Sequence, residues 1–141
     1  MSYKVEVTSG FKKQAKRLLR KFPSIRIELL QLVNSLENEP KQGKSLGNNC
    51  YKIRMAIASK GKGKSGGARI ITHVYVAKST VYLITIYDKS EQTNISDSEI
   101  KDLLSGILGW EAKFYLSTVS SGYDATSKTY YYKENKLLDH Y

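Results

Sequence analysis

Two long runs of Ile, Val, Thr and Tyr, Arg69–Ala77 and Thr80–Asp88, are separated only by Lys78-Ser79. Runs of this composition read as strands, and a two-residue gap can only reverse the chain. An antiparallel hairpin is expected, although Lys78-Ser79 lacks the Asn or Gly that such short turns favour. A third run, Tyr51–Ala58, sets Tyr51, Ile53, Met55 and Ile57 on one side and Lys52 and Arg54 on the other. Between it and Arg69 lies Ser59-Lys60-Gly61-Lys62-Gly63-Lys64-Ser65-Gly66-Gly67-Ala68. Four glycines and three lysines make this a flexible, cationic loop.

The residues before the strands follow a different period. Lys4-Val5-Glu6-Val7-Thr8 alternates and reads as a short first strand. After Ser9-Gly10, Phe11, Ala15, Leu18, Leu19 and Phe22 form one stripe of an amphipathic helix. Lys12, Lys13, Lys16, Arg17, Arg20 and Lys21 occupy its other face. Pro23 ends that helix, Ser24 is placed to cap the next, and Ile25, Leu29, Leu32, Val33 and Leu36 repeat the stripe until Pro40. Two helices around a proline turn read as a helical hairpin. A last helix opens with Ser96-Asp97-Ser98-Glu99, a capping box, and runs through Ile100, Leu103, Leu104 and Ile107 towards a stop at Gly109.

The expected order is β-α-α-β-β-β-α, an α+β domain with an antiparallel sheet packed by the helical hairpin and the last helix. This domain is assigned to residues 1–109. Residues 110–141 form a Tyr-rich C-terminal extension with six of the 11 tyrosines, including Tyr130-Tyr131-Tyr132. The extension packs on the domain, docks a partner or frays; its sequence leaves all three open.

Charge narrows the function. The net charge is +10 over 141 residues, but residues 1–69 hold 16 Lys/Arg against 4 Asp/Glu and residues 70–141 hold 7 against 9. That asymmetry points to one basic face and a polyanionic partner such as nucleic acid, a ribosome or an anionic membrane. Cys50 is the single cysteine, which excludes an intramolecular disulfide framework and favours a reducing compartment. The N-terminus has no apolar run like a signal peptide, and no stretch approaches the ~18 apolar residues of a membrane span. A cytoplasmic protein is expected.

Ala58–Ser65 fits a relaxed phosphate-loop pattern with Ala in place of the first Gly. A true phosphate loop opens a helix, whereas Gly66-Gly67 here leads into a strand, so no nucleotide cofactor is expected. No Cys/His spacing suits zinc and no Asp/Glu cluster suits calcium or paired magnesium ions, so no metal is expected either. Cys50 reads as an inert thiol, and His73, in mid-strand, as a packing residue. What remains is cationic. Arg69 starts a strand just after the loop, Arg54 lies on the antiparallel neighbour, and Lys60, Lys62 and Lys64 hang over the same end of the sheet. Such a cluster binds phosphate and stabilises the charge of a phosphoryl transition state. Its plain alternative is a solvated loop, and the basic face of the first helix carries the same two readings.

Several segments together resemble a known family. They are the Phe11–Leu36 helical hairpin, Asn38-Glu39-Pro40 with Gly43 and Leu46 leading into Tyr51-Lys52-Ile53-Arg54, Gly63-Lys64-Ser65-Gly66-Gly67-Ala68-Arg69-Ile70-Ile71, and Val81–Glu91 running on to Ile95-Ser96. Across about residues 3–108 the chain resembles the RelE/HigB superfamily of bacterial toxin–antitoxin toxins, particularly its HigB-like branch. The resemblance implies a metal-independent endoribonuclease that cuts mRNA in the ribosomal decoding site and is silenced by a cognate antitoxin protein. In that chemistry the ribose 2′-OH attacks the neighbouring phosphate and leaves a 2′,3′-cyclic phosphate.

Carried over by position, the resemblance gives Arg69 the phosphorane, and Lys60, Lys62 or Lys64 the RNA and the 2′-OH proton. Lys89 falls where many relatives have an Arg that contacts phosphate or protonates the leaving oxygen. The implied catalytic set is Arg69, Lys64, Lys62 and Lys89; Arg54, Lys60, Lys52, Lys12 and Lys16 form the RNA-binding set. The sequence departs from the pattern at Ser90-Glu91-Gln92-Thr93-Asn94, where some relatives carry a Tyr. Two other readings stand beside the nuclease: a non-catalytic toxin of the same fold, as in gyrase-binding ParE, and an RNA- or ribosome-binding module.

Overall fold

The helical hairpin forms as the apolar stripes require. In the computed structural model, which describes residues 2–61, 63–92 and 94–108, β1 (Lys4–Val7) leads into α1 (Ser9–Lys21). Thr8 sets the start of α1: its Oγ1 accepts from the Phe11 amide at 3.0 Å and donates to the Ile84 carbonyl at 3.1 Å. Phe11, Ala15 and Leu18 are the buried residues of α1. α2 (Ile25–Asn38) follows the Pro23 turn and buries Ile25 and Leu36. Ser24 occupies the N-cap position but does not cap the helix with its side chain. Its hydroxyl instead donates to Glu28 Oε1 at 3.2 Å and accepts from the Ser59 amide at 2.9 Å, tying the helical turn to the loop after the third strand.

The sheet has five strands in the order β1-β5-β4-β3-β2. β2 is Lys44–Gly47, β3 Cys50–Met55, β4 Ala68–Tyr75 and β5 Thr80–Asp88. Two features correct the expected antiparallel, four-strand sheet. β1 pairs parallel to β5, with Val5 opposite Val81 and Val7 opposite Leu83, so the sheet is mixed. The added strand β2 pairs antiparallel to β3 through a two-residue turn, Asn48-Asn49, with φ of 56° and 59°. Left-handed φ at both turn residues matches the twist of a hairpin, and Asn tolerates it better than other non-glycine residues.

The β4–β5 connection also differs from expectation. β4 stops at Tyr75, Val76–Lys78 form a 3₁₀ turn and Ser79 takes φ 47° to re-enter β5. The chain from β3 to β4 is more ordered than the glycines suggest. Ala58–Lys60 and Lys64–Gly66 are short 3₁₀ turns, and among the described residues of this connection no α-helix opens. Gly67 is required by close approach, since a Cβ there would strike the Met55 carbonyl oxygen.

The register sorts side chains to two faces. One face packs on α1 and α2, joining Ile53, Met55, Ala68, Ile70, Val74, Val81, Leu83 and Ile86 to Phe11, Leu18, Ile25 and Leu36 in one core. Each large side chain buried there contributes about 1.5–3 kcal/mol. The opposite face carries Lys52, Arg54 and Arg69, because Arg54 pairs with Arg69 and Arg69 with Tyr87. All eight residues of β4 are buried.

The chain divides into two units after residue 94. The first holds the helical hairpin and the whole sheet. In the second, α3 (Asp97–Leu108) has the expected capping box: the Glu99 amide donates to Ser96 Oγ at 3.1 Å and the Ser96 amide to Glu99 Oε1 at 2.9 Å. Ile100 and Leu104 are buried. Gly109 and the Tyr-rich segment 110–141 lie outside the described residues.

Candidate functional site

The cationic face of β3 opens into a cleft of about 650 Å³ lined by Gln42, Gly43, Lys44, Lys52, Ile53, Arg54, Arg69 and Lys89. Five of these eight residues are cations, and among the described residues no carboxylate lines the cleft. Each cation is placed by the sheet. Lys52 and Arg54 alternate along β3, Lys44 lies opposite Lys52 on β2, and Arg69 lies opposite Arg54 on β4. Lys89 follows β5, where its amide donates to the Gly67 carbonyl at 3.0 Å. Gly43, at φ 96°, packs against the Lys52 carbonyl so closely that a Cβ would strike it. The entrance to β2 is thereby set on β3.

Arg69 is only 5% exposed. Its guanidinium donates to the Ala68 carbonyl at 3.2 Å and the Ser65 carbonyl at 3.3 Å, contacts that hold the planar group in one orientation. Lys52 is half-buried, and its Nζ donates to Asn94 Oδ1 at 3.4 Å. Burial, followed by the charges of Lys44, Arg69, Lys89 and Arg54, holds its ammonium below the ordinary lysine value. Both causes disfavour the charged amine. The cleft therefore combines a strong attraction for phosphate with an amine eased towards giving up its proton.

Not every residue assigned from sequence reaches this cleft. Arg69, Lys89, Arg54 and Lys52 do. Lys60 does not: its Nζ donates to Asp88 Oδ1 at 2.5 Å, to the Gly66 carbonyl at 2.9 Å and to Ser90 Oγ at 3.2 Å. Asp88 lies opposite Ala68, a residue of the helix-side core, so this pair belongs to the other face of the sheet. Lys12 and Lys16 sit on α1, where they border an apolar groove over Val7, Phe11, Ala15 and Leu19. Lys62 lies outside the described residues, and Lys64 is described only through its backbone, which begins the second 3₁₀ turn.

Sequence reasoning missed Lys44, Gln42 and Asn94. The signal for Lys44 was available in Asn48-Asn49, which closes a hairpin and carries Lys44 opposite Lys52. Tyr87, the last tyrosine of β5, precedes the Ser90–Asn94 segment where some relatives carry a Tyr. The register nevertheless places it directly opposite Arg69, on the cleft's face of the sheet.

Fold and site together define an α+β protein whose mixed sheet is backed by a helical hairpin on one face and carries a cation-lined cleft on the other. The model of the RelE toxin of the RelE/RelB toxin–antitoxin system matches residues 8–109, and the chain belongs to that family. Solved structures with which it shares a likeness include a double mutant of E. coli toxin RelE in the free state. That protein is 21% identical over 66% of this chain and 90% of its own, with a TM-score of 0.46. Another is the intact E. coli RelBE toxin–antitoxin complex, 19% identical over 62% of this chain and 96% of that one, at a TM-score of 0.39. Among the described residues, no helix is long and apolar enough to cross a membrane.

Proposed function

We propose that this toxin is a metal-independent endoribonuclease that cuts mRNA in the ribosomal decoding site, and that the cation-lined cleft is its reaction centre. Within the family we assign it to the HigB-like branch, on the segment Lys64-Ser65-Gly66-Gly67-Ala68-Arg69. The observation that carries the reading is the convergence of Lys44, Lys52, Arg54, Arg69 and Lys89 on one cleft; burial and the neighbouring cations, which hold the Lys52 ammonium below the ordinary lysine value, support it.

In the proposed reaction a ribose 2′-OH passes its proton to the neutral Lys52 amine as its oxygen bonds to the adjacent phosphorus. Arg69, oriented by two main-chain carbonyls, stabilises the negative charge of the pentavalent phosphorane. The bond to the 5′ oxygen breaks, Lys89 supplies the proton for that leaving oxygen, and a 2′,3′-cyclic phosphate remains. Lys52 thus takes the proton-accepting role that sequence gave to the loop lysines. Arg54 and Lys44 hold flanking phosphates, an electrostatic contribution that salt weakens.

A cognate antitoxin protein is the expected partner, as the name of the matching family and the E. coli RelBE complex suggest. Work on the ribosome places the toxin in the cytoplasm. The second reading is a non-catalytic toxin that binds an enzyme such as gyrase, but such a binder has no need of a phosphate pocket lined by five cations. Primer extension on a reporter mRNA in a purified translation system separates the two. Cuts that require ribosomes support the nuclease; arrest of translation with intact mRNA supports a binder.

A further inference from the structure

The pair Lys60–Asp88 is buried, lies off the cleft and is not used in the reaction described above. The Lys60 side chain is 12% exposed and that of Asp88 2%. Asp88 Oδ1 accepts from Lys60 Nζ and also from the Ser90 amide at 3.0 Å and Ser90 Oγ at 2.8 Å. The same ammonium holds the Gly66 carbonyl and stands 5.6 Å from the centre of the Phe22 ring. One charge therefore joins the turn after β3, the glycine-rich approach to β4, the turn after β5 and the end of α1.

Two of those segments end at cleft residues. Asp88 immediately precedes Lys89, whose amide is bonded to Gly67, and Gly66 is followed by Gly67 and then by Ala68 and Arg69 at the start of β4. We propose that Lys60 and Asp88 are positioning residues, whose ion pair sets the separation of Arg69 and Lys89 across the cleft. This rests on the reading of the cleft as the reaction centre.

Stability is a poor explanation for the pair. Withdrawing two charges from water offsets most of their attraction, and apolar or neutral replacements of similar shape are often as stable. Glycines 61, 63, 66 and 67 instead leave the connection between β3 and β4 with many accessible conformations. A single ammonium bonded to both sides of the gap selects one of them. Neither residue lines the cleft, so their loss acts through Arg69 and Lys89.

The test uses the neutral double variant Lys60→Met/Asp88→Asn, which leaves no buried charge alone. Its expected single-turnover cleavage rate on ribosome-bound mRNA is about 10- to 100-fold below wild type, the scale of a small misplacement of reacting groups. The half-saturating toxin concentration should change less than about threefold, because the cations that bind RNA remain. Wild-type cleavage by the folded double variant overturns the proposal. Should the double variant fail to fold, Ser90→Ala decides. It removes one hydroxyl shared by Asp88 and Lys60, and a drop of about three- to tenfold is expected, with no drop overturning the proposal. If wild type itself cuts no RNA, the reading of the cleft fails, and the positioning claim is judged by titrating inorganic phosphate against the Arg69 and Lys89 NMR signals. Binding about tenfold weaker in the altered protein than in wild type supports it, and equal binding overturns it.

Discussion

Arg54 and Arg69 stand directly opposite one another across the β3–β4 ladder. Like charges at facing positions work against a sheet. Lys44 opposite Lys52 repeats the arrangement one strand further out. Two such pairs bordering one cleft are a cost in stability, and breaking a local rule in this way is expected where a site needs concentrated charge.

Relief of that repulsion should be measurable. Arg54→Thr keeps a residue suited to a strand and removes one of the facing charges. It should raise stability by about 0.5 kcal/mol in urea titrations while weakening affinity for RNA. A variant that loses stability would show that Arg54 is held by compensating contacts.

Lys52 offers a sharper test. Lys52→Met should lower the rate of RNA cleavage by about 10²–10⁴-fold, the usual contribution of a positioned proton acceptor. The wild-type rate should rise with pH along a limb lying below the ordinary lysine value of 10.5. Lys44→Gln removes one of the charges holding that amine down, so the limb should move to higher pH. It should not return to the ordinary value, because burial is the larger cause.

His73 governs acid stability in a different part of the sheet. It is fully buried, and burial lowers its pKa from 6.5 to about 4, with a backbone hydrogen bond at Asn48 partly opposing the change. Nδ1 lies 3.5 Å from Cys50 Sγ. The unfolded chain takes up this proton below pH 6.5 while the folded chain does not until about pH 4. Stability is therefore full above pH 6.5 and falls between those values by about 3 kcal/mol, then levels off. His73→Gln should flatten the upper part of that window. Asp88 and Glu91, both held below their ordinary values in the folded chain, add acid sensitivity only at lower pH.

Glycine substitutions should separate close approach from turn strain. Gly43→Ala meets the Lys52 carbonyl at a positive φ, and Gly67→Ala meets the Met55 carbonyl. Each should cost about 1–3 kcal/mol, with Gly43→Ala also impairing cleavage through Lys52. Gly61, at φ 73° with open space around it, should accept Asn at about 1 kcal/mol or less.

Elements with strong periodicity are legible in the sequence. The stripes of α1 and α2, the alternation of β3 and the Ser96–Glu99 capping box all recur in the fold. β2 escaped because Lys44–Gly47 has no β-branched or aromatic residue; its only marker is the Asn48-Asn49 turn. The parallel β1–β5 pairing is a long-range choice that no local pattern encodes. For the site, Lys52 and Arg54 follow from the alternation of β3 and Arg69 from its place at the start of β4, whereas Lys89 comes from the resemblance alone. Lys60 misled because a lysine in a glycine-rich loop looks solvent-directed until the loop's path carries it to Asp88. Lys12 and Lys16 are cations on the helical face, and composition alone does not tell one face of a domain from the other.

The central claim is that the cleft around Arg69 and Lys52 cuts RNA through the ribose 2′-OH, and the most direct measurement is the chemistry of the ends it leaves. Ribosome-bound mRNA treated with wild type and with Arg69→Ala would be sequenced by methods specific for each terminus. Wild type should leave 2′,3′-cyclic phosphate and 5′-hydroxyl ends, reduced about 10²–10³-fold with Arg69→Ala. Ends bearing 3′-hydroxyl and 5′-phosphate, or cuts undiminished in the variant, would contradict it.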